Sequence, residues 1–183
     1  PPLEDCYAPE RVPDAASLAR EHAHHAAHLV AAGVDCILAE TMNTVLEAVA
    51  ATRAAREAGA EAWVSFVCWK HDRLLSGEPL REALDAVGEL DPLLVGVNCL
   101  PPRAVPACLP ALVAAGRPFG VFANLGAPLD AAGSRRSDEL APEAFAEAAT
   151  GWCAAGARAV GGCCGTTPAH LRAVVERLSH AVP

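Results

Sequence analysis

Residues 93–124 read LLVGVNCLPPRAVPACLPALVAAGRPFGVFAN, and this stretch decides the fold. It holds two short apolar runs, 93–98 and 119–123, too brief for helices and without the polar alternation of a strand that has one wet face. Runs of that kind are strands covered on both sides, as in parallel sheets. Between them, residues 105–115 suit a helix, and Gly116 can close it. Strand, helix and strand in close succession predict a βαβ unit, with parallel strands joined by a right-handed crossover.

The same alternation extends outward in both directions. Upstream, residues 14–32 predict a helix with Asp14 as N-cap and Gly33 after its end. A strand over 34–39 ends at Glu40, and Thr44 with Glu47 predicts a capping box for a helix reaching about Gly59. A strand over 62–68 and a helix over 79–90 follow. Downstream come a polar loop over 127–138, a helix over 142–155, a strand over 157–160 and a last helix opened by Thr167 and Pro168. Five βα units are legible in all.

Polar residues collect where the predicted strands end: Glu40 and Thr41, Asn98 and Cys99, Asn124, then Cys163 and Cys164. An open doubly wound sheet concentrates binding at one switch point, whereas a (β/α)₈ barrel assembles its site from the C-terminal ends of several strands. Four contributing strands favour the α/β class of TIM-barrel type. A full barrel has eight units and takes about 250 residues, so residues 1–183 are expected to form one domain containing an incomplete barrel.

Composition narrows the function classes. The chain has 183 residues, 52% hydrophobic and 20% charged, which is a globular balance with material for a core. A net charge of −8 opposes binding to nucleic acid, which needs clustered Lys and Arg. No run approaches the roughly 20 apolar residues of a spanning helix, and the opening PPLEDCYAPE lacks the features of a signal peptide. A cytoplasmic protein with reduced thiols is expected, so its eight cysteines point to metal or catalysis before disulfides.

Cys163 and Cys164 are adjacent and flanked by Gly161, Gly162 and Gly165; Cys99 ends the second strand before them. Zinc in sulfur-rich sites takes thiolates tetrahedrally at about 2.3 Å, and three of them leave a fourth position for substrate. The spacing is not the C-x₂-C of structural zinc modules, so by itself it leaves open a metal site and a set of structural thiols. A disulfide between adjacent cysteines would be strained. Cys36, Cys68, Cys108 and Cys153 read as small buried hydrophobes. His22, His24, His25 and His28 share one helix and read as a solvated face before an adventitious metal site. His170 reads as a surface residue, Trp63, Trp69 and Trp152 as core or rim packing, and residues 130–139 as a surface loop.

Gly96-Val97-Asn98-Cys99 and Gly161-Gly162-Cys163-Cys164-Gly165-Thr166-Thr167-Pro168 together closely resemble the two zinc-binding motifs of the homocysteine S-methyltransferase family. The resemblance continues, in the family's order, through Asp5-Cys6-Tyr7, Ala39-Glu40-Thr41-Met42, Ser76-Gly77-Glu78-Pro79 and Ala123-Asn124-Leu125-Gly126. It implies a (β/α)₈ barrel that transfers a methyl group to homocysteine, or a related thiol or selenol, to give methionine. Cys99, Cys163 and Cys164 would be both the Zn²⁺ ligands and the catalytic groups. Glu40, with Thr41 beside it, matches the position that contacts the homocysteine amino group. Strand order suggests that the Asn124 amide oxygen fills the fourth zinc site until thiol displaces it. The methyl donor, whether S-methylmethionine, a betaine or methylfolate through cobalamin, is not legible, though a small free-standing form mildly favours a sulfonium.

The family normally opens with a glycine-rich Asp-Gly turn and two further βα units, none of which is present here. A homo-oligomer or a complementing N-terminal fragment is therefore expected. The alternative reading is a non-catalytic zinc-binding remnant or subunit.

Overall fold

The computed structural model describes residues 1–69, 71–126 and 140–179. The predicted loop over 127–138 and the predicted surface loop over 130–139 lie outside the described residues. Five strands, β1 (Cys36–Met42), β2 (Glu61–Phe66), β3 (Leu94–Asn98), β4 (Phe119–Ala123) and β5 (Ala159–Gly162), form one sheet. All neighbouring pairs are parallel and the order is sequential, β1-β2-β3-β4-β5. A doubly wound sheet reverses its order at a switch point, and here the order never reverses; because all pairs are parallel, every strand carries its C-terminal end to the same edge.

The connecting helices are α1 (Ala15–Ala31), α2 (Val45–Glu57), α3 (Leu80–Gly88), α4 (Val105–Ala114), α5 (Pro142–Ala154) and α6 (Pro168–Ser179). Asp14 caps α1 as predicted, its carboxylate accepting from the Ala16 and Ser17 amides. Strand residues Val64, Phe66, Val95, Val97 and Val121 pack with Leu80, Leu84 and Val87 of α3, Leu112 of α4 and Phe145 and Trp152 of α5 in one core. Every residue of β3 is buried, whereas β5 is only half-buried along its length. Apolar cover on both faces is what the uniform strands require.

Several expectations need correction. The first strand begins at Cys36 rather than residue 34 and continues through Glu40 and Thr41 to Met42. Its register against β2 breaks between Ala39 and Met42, so Glu40 and Thr41 together stand opposite Ser65. The capping box is half made: Thr44 accepts from the Glu47 amide, but the fully buried Glu47 carboxylate accepts instead from the Leu3 amide at 2.7 Å and meets His22 Nε2 at 3.2 Å. His22 is accordingly buried and not part of a solvated face. A different open amide of that first turn, Val45, is met by Glu78, whose Oε2 also accepts from the Ser76 hydroxyl. Cys36 is exposed and Cys153 half-buried, so only Cys68 and Cys108 of that group are core thiols.

Candidate metal centre

The sheet carries three sulfur atoms to one edge. Cys99 directly follows β3 in the left-handed backbone region, with φ of 56°, and its amide donates to Phe122 O. A non-glycine residue held there is strained, and such strain gathers at functional sites. Cys163 and Cys164 directly follow β5: the Cys163 amide donates to Ala123 O at 2.8 Å, and Cys164 O accepts from the amides of Leu125 and Gly126. Gly165 turns the chain away with φ of 80°, and a Cβ there would lie 2.6 Å from the Gly126 nitrogen. Only glycine fits this position.

The sulfurs of Cys99, Cys163 and Cys164 lie within 4.8 Å of one another, with Cys99 to Cys164 at 3.8 Å and Cys163 to Cys164 at 3.9 Å. Thiolates at about 2.3 Å from a tetrahedral zinc stand about 3.8 Å apart, so these thiols have the span of a zinc ligand set. All are free, which sets aside a Cys163–Cys164 disulfide. Exposure is graded: Cys99 is 2% exposed, Cys163 half-buried and Cys164 exposed. The cluster is sealed behind Cys99 and open at Cys164.

Cys99 is also where hydrogen bonds converge. Its thiol is held down to about 5, first because Cys163 donates to it and then through Tyr7, Asn124 and Cys164, with burial acting the opposite way. The same Cys163–Cys99 bond pushes Cys163 up, and burial pushes Cys164 up. From Asn124, at the end of β4, it is Nδ2 that faces the Cys99 sulfur, 3.5 Å away.

Glu40 and Thr41 occupy the irregular end of β1 on the same edge of the sheet. Thr41 has φ of 61°, and bulges near sites commonly re-aim side chains. Its amide donates to Asn98 Oδ1 at 3.0 Å and its hydroxyl accepts from Asn98 Nδ2 at 2.7 Å; Ser65 donates to the same Asn98 oxygen at 2.8 Å. Asn98 therefore ties the ends of β1 and β2 to the residue before Cys99. Glu40 is half-buried.

Sequence reasoning missed two participants. The Tyr7 hydroxyl lies 2.8 Å from the Cys99 sulfur, and the Tyr7 ring stacks on Trp69, with centroids 5.0 Å apart. Trp69 Nε1 donates to Cys99 O at 3.0 Å. The only available signal was the place of Asp5-Cys6-Tyr7 among the recurring motifs. His170, expected at the surface, is buried: its Nδ1 accepts from Thr167 and its Nε2 donates to Leu140 O at 3.0 Å. It ties the start of α6, just after the cysteine turn, to the approach to α5.

Comparisons with known proteins converge. The sequence profile described as homocysteine S-methyltransferase matches residues 1–178. The selenocysteine methyltransferase of Astragalus bisulcatus is 30% identical over 157 residues, covering 82% of this chain and 46% of that protein. The methionine synthase of Mycobacterium tuberculosis is 35% identical over 158 residues, 81% of this chain and 13% of that protein. Among solved structures, the metallated homocysteine methyltransferase MmuM of Escherichia coli superposes with a TM-score of 0.78 at 26% identity, covering 96% of this chain and 56% of that one. The chain spans about half the length of the selenocysteine methyltransferase and of MmuM, and a smaller part of the methionine synthase.

Proposed function

This chain belongs to the homocysteine S-methyltransferase family, and we propose that it binds one zinc ion through Cys99, Cys163 and Cys164 and transfers a methyl group to the thiol of homocysteine or a related thiol or selenol. The observation that carries the reading is the spacing of the three sulfurs, which suits tetrahedral zinc. Residues 1–183 are read as one domain, five consecutive units of a (β/α)₈ barrel. The sequential parallel order supports that.

Zinc in this setting supplies Lewis acidity, lowering the pKa of an incoming thiol so that it reacts as thiolate. The chain's own residues do the rest. Three thiolates around a divalent ion leave a net negative charge, which keeps an added sulfur electron-rich. Cys99 anchors the set from inside, while the exposed Cys164 marks the side from which substrate enters. Glu40 offers a carboxylate for the homocysteine ammonium, a charge-assisted contact, and the Thr41 irregularity, held by Asn98, aims it. Asn124 orients Cys99 through Nδ2, and a turned amide would offer its oxygen to the ion instead. Displacement at methyl needs donor, carbon and sulfur in line, and positioning supplies much of such rate enhancement.

A second reading, a zinc-binding subunit that acts only with a complementing fragment, is supported by the exposed Cys36 and Leu38 on β1. Elemental analysis after purification under reducing conditions is expected to give about one zinc per chain. Serine at 99, 163 or 164 should weaken affinity by more than the tenfold to hundredfold typical of outer-shell changes. A zinc-free wild type would overturn both readings. Methionine formation from homocysteine and each donor, with and without a supplied N-terminal segment, separates them.

A further inference from the structure

We propose that Tyr7 is a positioning residue that keeps Cys99 from competing with the substrate as methyl acceptor. The inference rests on the zinc-thiolate methyltransferase reading. Attack on an activated methyl forms a sulfur–carbon bond and breaks the carbon–donor bond, whose electron pair leaves with the donor. Any thiolate in reach can do this. At Cys99 the product would be a neutral thioether, with the ligand's charge lost.

The geometry opposes that side reaction at Cys99 in particular. A metal-bound cysteine sulfur is a thiolate and carries no proton, so in the 2.8 Å contact the Tyr7 hydroxyl is the donor. It draws on the electron density that would attack carbon. The Asn124 amide adds a second, longer bond. Tyr7 is fixed from several directions. Its ring stacks on Trp69, the residue that also holds Cys99 O. Its segment is pinned by Asn43 Nδ2 donating to Cys6 O at 2.8 Å and by the Leu3 amide on Glu47. Among the described residues no hydroxyl is bonded to the sulfur of Cys163 or Cys164, which makes them internal controls.

The test is alkylation by iodoacetamide, in which a sulfur–carbon bond forms and iodide leaves, with each cysteine followed by peptide mass spectrometry in zinc-loaded and metal-free protein. In zinc-loaded Tyr7→Phe, where Cys99 is a thiolate with or without the hydroxyl, its rate should rise about tenfold or more relative to Cys163 and Cys164, the loss expected for one hydrogen bond to a charged group; the metal-free samples report how far the metal itself shields each sulfur. Tyr7 is the chain's single tyrosine, so global incorporation of 3-fluorotyrosine alters this hydroxyl alone. That stronger donor should slow Cys99 below the wild-type rate. A Cys99 rate unchanged in Tyr7→Phe, or a parallel rise at all three sulfurs, would overturn the proposal. Zinc content of the same samples reports on the metal reading separately.

Discussion

Asn98 shows what a residue can hide in a sequence. Its neighbour Cys99 and the adjacent pair Cys163 and Cys164 stood out as candidate ligands, with the resemblance of their motifs, more than their spacing, separating a metal site from structural thiols. Asn98 showed only as a polar residue at a strand end, since its partners Thr41 and Ser65 lie 57 and 33 residues away. Tyr7 was hidden for the same reason, 92 residues from the sulfur it touches. Replacing Asn98 with alanine would leave the Thr41 amide and the Ser65 hydroxyl buried without their partner, at a cost of about 1–3 kcal/mol for each group that finds no other. Urea unfolding of Asn98→Ala should therefore show a loss of about 2–4 kcal/mol. Zinc affinity should fall with it, because the backbone that places Cys99 loses its tie to β1. A stability within 0.5 kcal/mol of wild type, roughly the level of a neutral surface change, would mean that the polar brace is dispensable.

Element identities were legible because each depends on local pattern. The strands are uniformly apolar, and Asp14 and Thr44 mark helix starts that the structure keeps. The partner that completes the start of α2 was not legible. Local spacing assigned it to Glu47, yet that carboxylate is drawn inside to the Leu3 amide and His22, and the open amide of Val45 is met from the loop after β2 by Glu78. A capping box is a three-residue signal, and a tertiary partner outcompetes it here. The Ser76-Gly77-Glu78-Pro79 motif thus has a structural use, stapling the loop after β2 to the helix after β1. Glu78→Ala should destabilise the chain by about 1 kcal/mol, the usual scale for a lost helix cap. Hydrogen exchange should localise the effect to the first turn of α2, whereas faster exchange spread evenly over the sheet would contradict a capping role.

At the scale of the molecule, the βα alternation was legible, and the sequential strand order agrees with the spread of polar residues over several strand ends. The periodicity could not show how the sheet treats its outer strands. Among the described residues β1 pairs only with β2 and β5 only with β4, so two parallel edges keep backbone donors and acceptors without ladder partners. Beside the β1 edge, Leu38 is 36% exposed and Val34 37% exposed, and Cys36 is exposed as well. The stretch Cys36–Ala39 at the start of β1 carries no lysine or proline, and the charge and irregularity that can blunt an edge come only at its far end, at Glu40 and Thr41. We propose that this edge, in the 183 residues taken by themselves, pairs with another strand, from a second copy or from a supplied segment of the barrel. Sedimentation velocity of the isolated 183-residue chain should accordingly show concentration-dependent association. Leu38→Lys, which places a charge beside that edge, should shift the distribution toward monomer without changing the zinc content, because the three sulfurs sit beyond β3 and β5. A wild-type chain that stays monomeric across the concentration range would show that the edge is protected by the chain itself. A variant that lost zinc together with association would instead couple the edge to the metal centre.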